Sequence, residues 1–296
     1  MNIVFRWFGE GFDPVPLEYI RQIPGISGVV PMLGDIPAGE VWPQERIFSM
    51  KRRVEAHGLT MEVVESVNVH EDIKLGLPSR DEYIANYITT LERLADAGVE
   101  VVCYNFMPVF DWTRTDLASP RPDGSTALAY RQELVDAVGD PQTFAEKIEK
   151  NTRGFVMPGW EPERMAEIRR LFVLYKAISH EDLFRNLAYF LKAVIPVCEA
   201  RGISMAIHPD DPPWDIFGLP RIVTGKGSLE RVLSLADSPR NGLTLCTGSL
   251  GADPDNDLPS LIRFFGAQKR IHFAHIRNIR HCGPGHFEEA AHRSDD

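Results

Sequence analysis

The sequence predicts an α/β protein folded as a (β/α) barrel of the TIM type. Short β-rich segments alternate with longer helical patterns, which is typical of βαβ units and a parallel sheet. Three helical patterns end at a glycine directly before a β-rich segment, at Gly58, Gly98 and Gly202, as expected of left-handed helix C-caps. An open dinucleotide-binding sheet fits less well, because no glycine-rich phosphate loop follows the first β-rich segment.

Seven segments are predicted as strands, and several are nearly continuous apolar runs, as in parallel strands covered on both faces. These segments are residues 3–7, 27–31, 60–66, 99–105, 203–208, 243–247 and 271–277. Helices are predicted between them at 43–57, 80–97 and 181–201. A closed barrel needs eight strands. Because the chain ends at Asp296, soon after the seventh strand, we expect a barrel without its eighth βα unit.

We predict a single barrel domain over residues 1–296 with a helical insertion at about 123–180. The helix is indicated by apolar residues at three- and four-residue steps. These residues are Met165, Ile168, Leu171, Phe172 and Tyr175. We interpret the insertion as a packing element beside the barrel, with a lid or an oligomer contact as alternatives.

Charge and composition exclude several functional classes. The 296 residues carry a net charge of −10, from 32 basic and 42 acidic residues, which argues against nucleic acid as a partner. No run of about 18 apolar residues predicts a membrane span, and the N-terminus lacks the pattern of a signal peptide. The four cysteines are widely spaced, as free thiols or metal ligands are. We therefore expect a cytoplasmic enzyme.

Three residues that can bind a metal end successive predicted strands. They are His208, Cys246 and His275, each about one βα unit from the next. In a barrel the carboxyl ends of the strands meet at one mouth, so these side chains can converge. Two imidazoles and a thiolate suit a divalent metal such as Zn, Fe or Mn. The alternative is that each is an ordinary buried core residue.

Charged residues near these positions suggest how an acid would be bound. Arg277 lies two residues after His275, on the same face of the strand, and can clamp a carboxylate with its two-pronged guanidinium group. Asp210 and Asp211 follow His208 in a proline-rich loop and could orient the ligand or transfer protons. A surface salt bridge and a solvated acidic turn are the respective alternatives.

Two further loops combine aromatic, charged and amide side chains. His70 follows the third strand, and Asn105 and Arg114 lie in the aromatic-rich loop after the fourth. Aromatic rings pack on the carbon faces of a polyhydroxylated acid, while polar groups bind its hydroxyls. His70 could act as a proton shuttle or as a substrate contact, and structural roles for His70 and Arg114 remain open.

The motifs around these residues, with others along the chain, resemble those of mannonate dehydratases over essentially the whole chain. The matching segments are 6–9, 36–42, 64–66, 70–74, 103–108, 111–117, 208–213, 218–222, 246–249, His275 with Arg277, and 289–292. The resemblance implies a xylose-isomerase-like barrel with one divalent ion, Mn²⁺ or Fe²⁺, and ligands at His208, Cys246 and His275. It also implies a fourth ligand, an aspartate within an Arg-Pro-Asp-His-Gly motif, which this sequence does not contain.

The implied reaction is dehydration of D-mannonate to 2-keto-3-deoxy-D-gluconate in hexuronate catabolism, by a homo-oligomer. For proton transfer we predict His70, Asp210 and Tyr104. The substrate contacts that we predict are Arg6, Trp7, Asn105, Arg114, Arg277 and His292. The alternatives are a non-catalytic, incomplete barrel and a related metal-dependent sugar isomerase or epimerase.

Overall fold

A computed structural model of the chain describes residues 1–137 and 165–292, which contain two kinds of sheet. The strands are β1 (Ile3–Arg6), β2 (Ile26–Val30), β3 (Val63–Glu65), β4 (Val101–Tyr104), β5 (Asp116–Pro120), β6 (Thr126–Arg131), β7 (Ser204–Ile207), β8 (Asn241–Cys246), β9 (Ile271–His275), β10 (Asn278–Gly283) and β11 (His286–Ala290). All seven predicted strands are present, most of them shorter at their ends than predicted.

Helices cover the parallel strands and end where the sequence indicated. The helices are α1 (Leu17–Ile20), α2 (Gln44–Ala56), α3 (Glu71–Leu75), α4 (Arg80–Asp96), α5 (Gln132–Asp136), α6 (Met165–Tyr175), α7 (His180–Arg201), α8 (Lys226–Leu235), α9 (Thr247–Gly251), α10 (Leu258–Ala267). Gly58, Gly98 and Gly202 have φ angles of 71°, 76° and 73°, so the predicted left-handed conformation after α2, α4 and α7 is confirmed. No helix in the described part of the chain is both long and apolar enough to span a membrane.

The parallel strands follow one another in chain order, as in a barrel. One sheet has the order β3-β4-β7-β8-β9, and β1 pairs with β2 beside it. A parallel bridge between Gly28 and Thr60 links the two. A doubly wound sheet would reverse its strand order at a switch point, and this order has no reversal. The α/β barrel-like fold is therefore confirmed, while the lack of an eighth unit stays a prediction.

A four-stranded antiparallel sheet of order β10-β11-β6-β5 was not predicted. Its strand β6 lies in the segment predicted as a helical insertion, so that prediction is wrong for Thr126–Arg131. The overlooked signal was the turn Arg121-Pro122-Asp123-Gly124, closed by a hydrogen bond from Gly124 N to Arg121 O. The helix predicted at 164–175 is present as α6, and residues 138–164 lie outside the described part of the chain.

Apolar side chains form two packed clusters. The larger fills the space between the parallel strands and helices α2, α4, α7, α8 and α10. The smaller lies under the antiparallel sheet, where Ile168, Leu171 and Tyr175 of α6 are buried as their spacing predicted. In the described residues α6 thus packs beside the barrel, in agreement with our interpretation of this helix.

A buried ion pair joins this second cluster to the barrel. Lys74 Nζ lies 2.7 Å from Glu71 Oε1 and donates to the carbonyl of Met107 at 2.7 Å. The second oxygen of Glu71 accepts hydrogen bonds from Tyr175 Oη at 2.6 Å and from the backbone N–H of Val109 at 3.3 Å. Glu71 therefore connects α3, the loop after β4, and α6.

Replacing Glu71 with alanine is expected to lower the free energy of unfolding by about 3–5 kcal/mol, because the buried ammonium group of Lys74 loses its partner. Denaturant titration followed by circular dichroism measures this loss. Glu92→Ala, at an exposed position of α4, is the matched control and should change stability by less than about 0.5 kcal/mol. Equally small losses in both variants would contradict the prediction.

Candidate metal and substrate site

His208, Cys246 and His275 meet at the carboxyl ends of three adjacent strands. His208 directly follows β7, while Cys246 and His275 end β8 and β9 and are paired in register. One ligand atom from each residue lies within 4.8 Å of the other two. His208 Nε2 and His275 Nδ1 are 3.0 Å apart. The structure thus brings together the three predicted ligands.

The thiol of Cys246 is buried in a surrounding that favours the thiolate. Its Sγ accepts hydrogen bonds from Ser249 Oγ at 3.1 Å and from Ser249 N at 3.4 Å, and Arg277 Nη1 lies 3.6 Å away. Burial alone would raise the pKa of this thiol, but the charges of Arg277 and His208 outweigh burial and hold the pKa well below its usual value. A thiolate is the form of cysteine that binds metals.

Each imidazole has its second nitrogen held away from the cluster. His208 Nδ1 lies 2.7 Å from the carbonyl oxygen of Pro209, and His275 Nε2 lies 3.3 Å from Glu65 Oε2. Burial would lower the pKa of both rings, but Cys246, and for His275 also Glu65, raise it, to about 10 in His275. The nitrogens left facing each other, His208 Nε2 and His275 Nδ1, are the ones at which a divalent ion would take the place of the proton that the nearby anionic groups favour.

The donor set fits a divalent metal. A thiolate and two imidazoles with fixed orientations are ligands for ions such as Fe, Zn or Mn. A different group of possible ligands, Cys282, His286 and Glu288, lies on the β10–β11 hairpin. There, Arg121 and Arg280 already pair with Glu288, so the local charge disfavours a cation.

Two arginines and two carboxylates form a buried ion cluster next to Cys246. Asp211, 1% exposed, lies between Arg114 Nη1 at 2.7 Å and Arg277 Nη1 at 2.9 Å. Glu289 of β11 pairs with both guanidinium groups from the other side. Burial would raise the pKa of the Asp211 carboxyl, but the two arginines hold it well below its usual range. The predicted substrate contacts Arg114 and Arg277 are thus brought together by shared carboxylates.

Among the described contacts, the residues predicted for proton transfer do not touch this cluster. His70 stacks on the ring of Tyr83 with centroids 3.6 Å apart. Asp210 accepts a hydrogen bond from the backbone N–H of Val223 at 2.7 Å. Tyr104 is buried in the core, with its ring centroid 6.0 Å from that of Phe190 in α7. Their catalytic roles stay predictions.

The remaining predicted substrate contacts lie around the same strand ends. Arg6, at the end of β1, places Nε 3.3 Å from Glu65 Oε2. Trp7 follows it and is buried. The side-chain oxygen of Asn105 accepts a hydrogen bond from Met107 N at 3.2 Å, so this side chain braces its own loop. The His292 ring lies against the carbonyl of Ile276, with Nε2 2.8 Å from that oxygen.

Sequence reasoning did not single out Glu65, Ser249 or Glu289, and it chose Asp210 over Asp211 as the acid in its loop. Glu65 lies one residue before the end of the predicted strand 60–66, but the rule that located the ligands does not say which face of a strand meets them. The approach of Arg277 also depends on Gly248, where an added Cβ would come within 2.9 Å of the arginine side chain. That contact gives no signal in the sequence.

Comparison with known proteins gives matches over the whole chain. The family model described as D-mannonate dehydratase (UxuA) matches residues 1–296. The mannonate dehydratase of Geobacillus thermodenitrificans is 56% identical over 296 residues, covering 100% of this chain and 80% of that protein. The one from Thermotoga neapolitana is 58% identical over 294 residues, covering 99% of this chain and 81% of that protein.

Solved structures agree with these matches. The crystal structure of mannonate dehydratase from Streptococcus suis serotype 2 has a TM-score of 0.86 and 46% identity, covering 99% of this chain and 77% of that one. A xylose isomerase domain protein from Planctomyces limnophilus has a TM-score of 0.51 at 9% identity, covering 98% of this chain and 78% of that one. The second likeness shows only a shared α/β barrel-like fold.

Replacing Asp211 with asparagine is expected to lower the free energy of unfolding by about 3–5 kcal/mol, because the buried guanidinium group of Arg114 and the partly exposed one of Arg277 lose the charge between them. The matched control is Asp35→Asn, which removes a similar two-pronged pair with Arg46 at the surface. That loss should be at most about 1 kcal/mol. Denaturant titration compares the two, and equal losses would show that the Asp211 cluster contributes no more than a surface pair.

Proposed function

The chain belongs to the D-mannonate dehydratase family, and we propose that it removes water from D-mannonate during the breakdown of hexuronates. A proton leaves C2, next to the carboxylate, and the hydroxyl group leaves C3. The enol that forms tautomerises to 2-keto-3-deoxy-D-gluconate. Because the C2 proton is weakly acidic, the site must stabilise negative charge that spreads into the substrate carboxylate.

The observation that carries this proposal is the convergence of His208, Cys246 and His275 at adjacent strand ends. We assign these three side chains as ligands of one divalent ion, Mn²⁺ or Fe²⁺. Such an ion supplies a Lewis acid that stabilises negative charge on substrate oxygen atoms. The orientation of both imidazoles and the stabilised thiolate support the assignment.

The charge balance of the site indicates where the substrate carboxylate binds. The guanidinium groups of Arg114 and Arg277 are matched by the carboxylates of Asp211 and Glu289. This cluster therefore offers little net attraction to an anion. A divalent ion with the single thiolate of Cys246 keeps a net positive charge. We therefore place the substrate carboxylate beside the metal ligands, with Arg277 stabilising the thiolate rather than acting as the only clamp.

The other proposed substrate contacts lie near the carboxyl ends of parallel strands. Asn105 follows β4, and Trp7 and His292 lie near the ends of β1 and β9, so all three occur on the side of the sheet where the ligands are. Amide and imidazole groups can bind the hydroxyls of a sugar acid, and a tryptophan ring can pack on its carbon chain. Arg6 reaches the site through Glu65. Assembly into a homo-oligomer stays a prediction.

His70 is our first choice for a proton-transfer role, followed by Asp210 and Tyr104. The backbone N–H of Asp72 donates to His70 Nδ1 at 3.1 Å, so the neutral ring carries its proton on Nε2. Burial lowers the pKa of this ring, which favours the neutral form. A neutral imidazole that donates from Nε2 can polarise an oxygen atom. We therefore assign His70 to the departure of the C3 hydroxyl rather than to removal of the C2 proton.

Replacing Cys246 with alanine is expected to remove the bound metal, because the site loses its only anionic ligand among the three. Metal content per chain after purification with Mn²⁺, measured by inductively coupled plasma mass spectrometry, tests this. The matched control is Cys282→Ala, since Cys282 is exposed on the hairpin. Wild-type metal content in the Cys246 variant would contradict the assignment.

Replacing His70 with alanine is expected to lower kcat for D-mannonate by about 100-fold or more, because a positioned proton donor is lost. The assay follows formation of 2-keto-3-deoxy-D-gluconate in the presence of Mn²⁺. His180→Ala is the control, since the His180 side chain is half exposed and pairs with Asp215 at the surface.

The same assay tests the proposed reaction. Wild-type turnover of D-mannonate supports a dehydratase, whereas turnover of aldoses or ketoses alone would indicate an isomerase or epimerase. Normal turnover by the His70 variant would contradict its assigned role while leaving the reaction itself in place.

A further inference from the structure

Glu65 is a half-buried carboxylate next to the proposed metal ligands, and the mechanism above does not use it. It ends β3 and is paired in register with Cys103 of β4. Its Oε2 atom lies 3.3 Å from His275 Nε2 and 3.3 Å from Arg6 Nε. The carboxylate thus bridges an imidazole and a guanidinium group on the inner side of the parallel strands.

A histidine that binds a metal through one ring nitrogen carries a proton on the other, and that N–H group needs an acceptor. For His208 the acceptor is the carbonyl oxygen of Pro209, 2.7 Å from Nδ1. The equivalent nitrogen of His275 is Nε2, and the group facing it is the carboxylate of Glu65. Both imidazoles therefore present the remaining nitrogen to the same point, 3.0 Å apart.

Arg6 holds Glu65 in place, since its Nε lies 3.3 Å from Glu65 Oε2. The guanidinium group of Arg6 is itself anchored, since Nη1 donates to the carbonyl of Val30 at 2.8 Å and Nη2 donates to Ser66 Oγ at 3.3 Å. The carboxylate is therefore fixed by β1, β2 and the end of β3 before any ligand binds.

Glu65 could instead bind a metal directly, together with Cys103 and His275, whose ligand atoms also lie close together. The orientation of His275 argues against this. Its Nδ1 faces His208, and its Nε2 faces Glu65, so a metal bound with His208 and Cys246 leaves Nε2 to the carboxylate. Cys103 Sγ instead lies 3.2 Å from Thr244 Oγ1.

We infer that Glu65 is a positioning residue, which accepts the Nε2–H of His275 and so directs Nδ1 toward the ion held with His208 and Cys246. Arg6 acts with it by holding the carboxylate, which gives Arg6 a role in metal binding in addition to its proposed contact with the substrate. The inference rests on the metal site of the proposed function.

The test compares Co²⁺ binding by wild-type protein, Glu65→Gln and Glu65→Ala. Co²⁺ is followed by its d–d bands and by the charge-transfer band from a cysteine thiolate. Loss of such a partner weakens metal affinity by about 10–100-fold. We expect that loss in Glu65→Ala, with altered d–d bands, and a smaller loss in Glu65→Gln, whose amide oxygen can still accept the Nε2–H. The thiolate band should persist in both variants.

Glu62→Gln is the matched control, because Glu62 lies just before β3, away from the ligand end, and accepts a surface hydrogen bond from Asn2. It should bind Co²⁺ like the wild type. Thermal unfolding of the metal-free proteins identifies any variant that fails to fold. If Glu65→Ala fails, Glu65→Gln, which is nearly identical in shape to the wild type, is compared with it for Co²⁺ binding.

Three results would overturn the inference. Unchanged affinity and spectra in Glu65→Gln and Glu65→Ala would show that His275 needs no such partner. Equal losses in the two variants would indicate direct coordination by Glu65, since an amide does not replace a carboxylate ligand. Absence of Co²⁺ binding in the wild type would remove the metal site itself, and that result is distinct because it does not depend on Glu65.

Discussion

The arrangement of the site depends on the buried carboxylate of Asp211. Two guanidinium groups, from Arg114 after β4 and Arg277 after β9, lie on either side of it, and Ser249 Oγ of α9 lies 3.0 Å from it. Charges cannot be buried without partners, so this carboxylate is what allows loops from three separate strands to meet here. Arg277 is thereby held beside Cys246, where its charge stabilises the thiolate.

This constraint divides the charged residues into two groups with different tasks. The cluster around Asp211 is balanced in charge and gives the loops their geometry, while the metal ion proposed at His208, Cys246 and His275 would supply the attraction for an anionic substrate. A chain with a net charge of −10 gives an anion no long-range attraction. The family to which the chain belongs acts on a sugar acid, so a local positive charge at the strand ends has to compensate for the overall field.

The sequence predicted the parallel strands and the convergence of His208, Cys246 and His275 because both follow from local rules. Apolar runs between helical patterns locate buried strands, and the carboxyl-end rule then selects His208, Cys246 and His275. The antiparallel sheet was missed because its strands are brought together from distant parts of the chain, with β11 pairing with β6. The sequence did not distinguish Asp211, which joins the two arginines, from Asp210 for a similar reason, since adjacent residues of one loop differ only in the partners that other loops supply.

Register explains why Glu65 was missed and where Tyr104 points. Residues directly paired across parallel strands share one face, and successive residues alternate between faces. One face therefore contains a continuous series of paired positions that leads to the ligands: Glu65, Cys103, Ala206, Gly242, then Cys246 and His275. Tyr104 lies on the opposite face of the strand and packs against Phe190 of α7.

Alternation along one strand gives two equivalent faces, and only the pairing with neighbouring strands decides which face meets the ligands. Once that pairing is known, Glu65 lies with the ligands for the same geometric reason that Tyr104 lies with the helices.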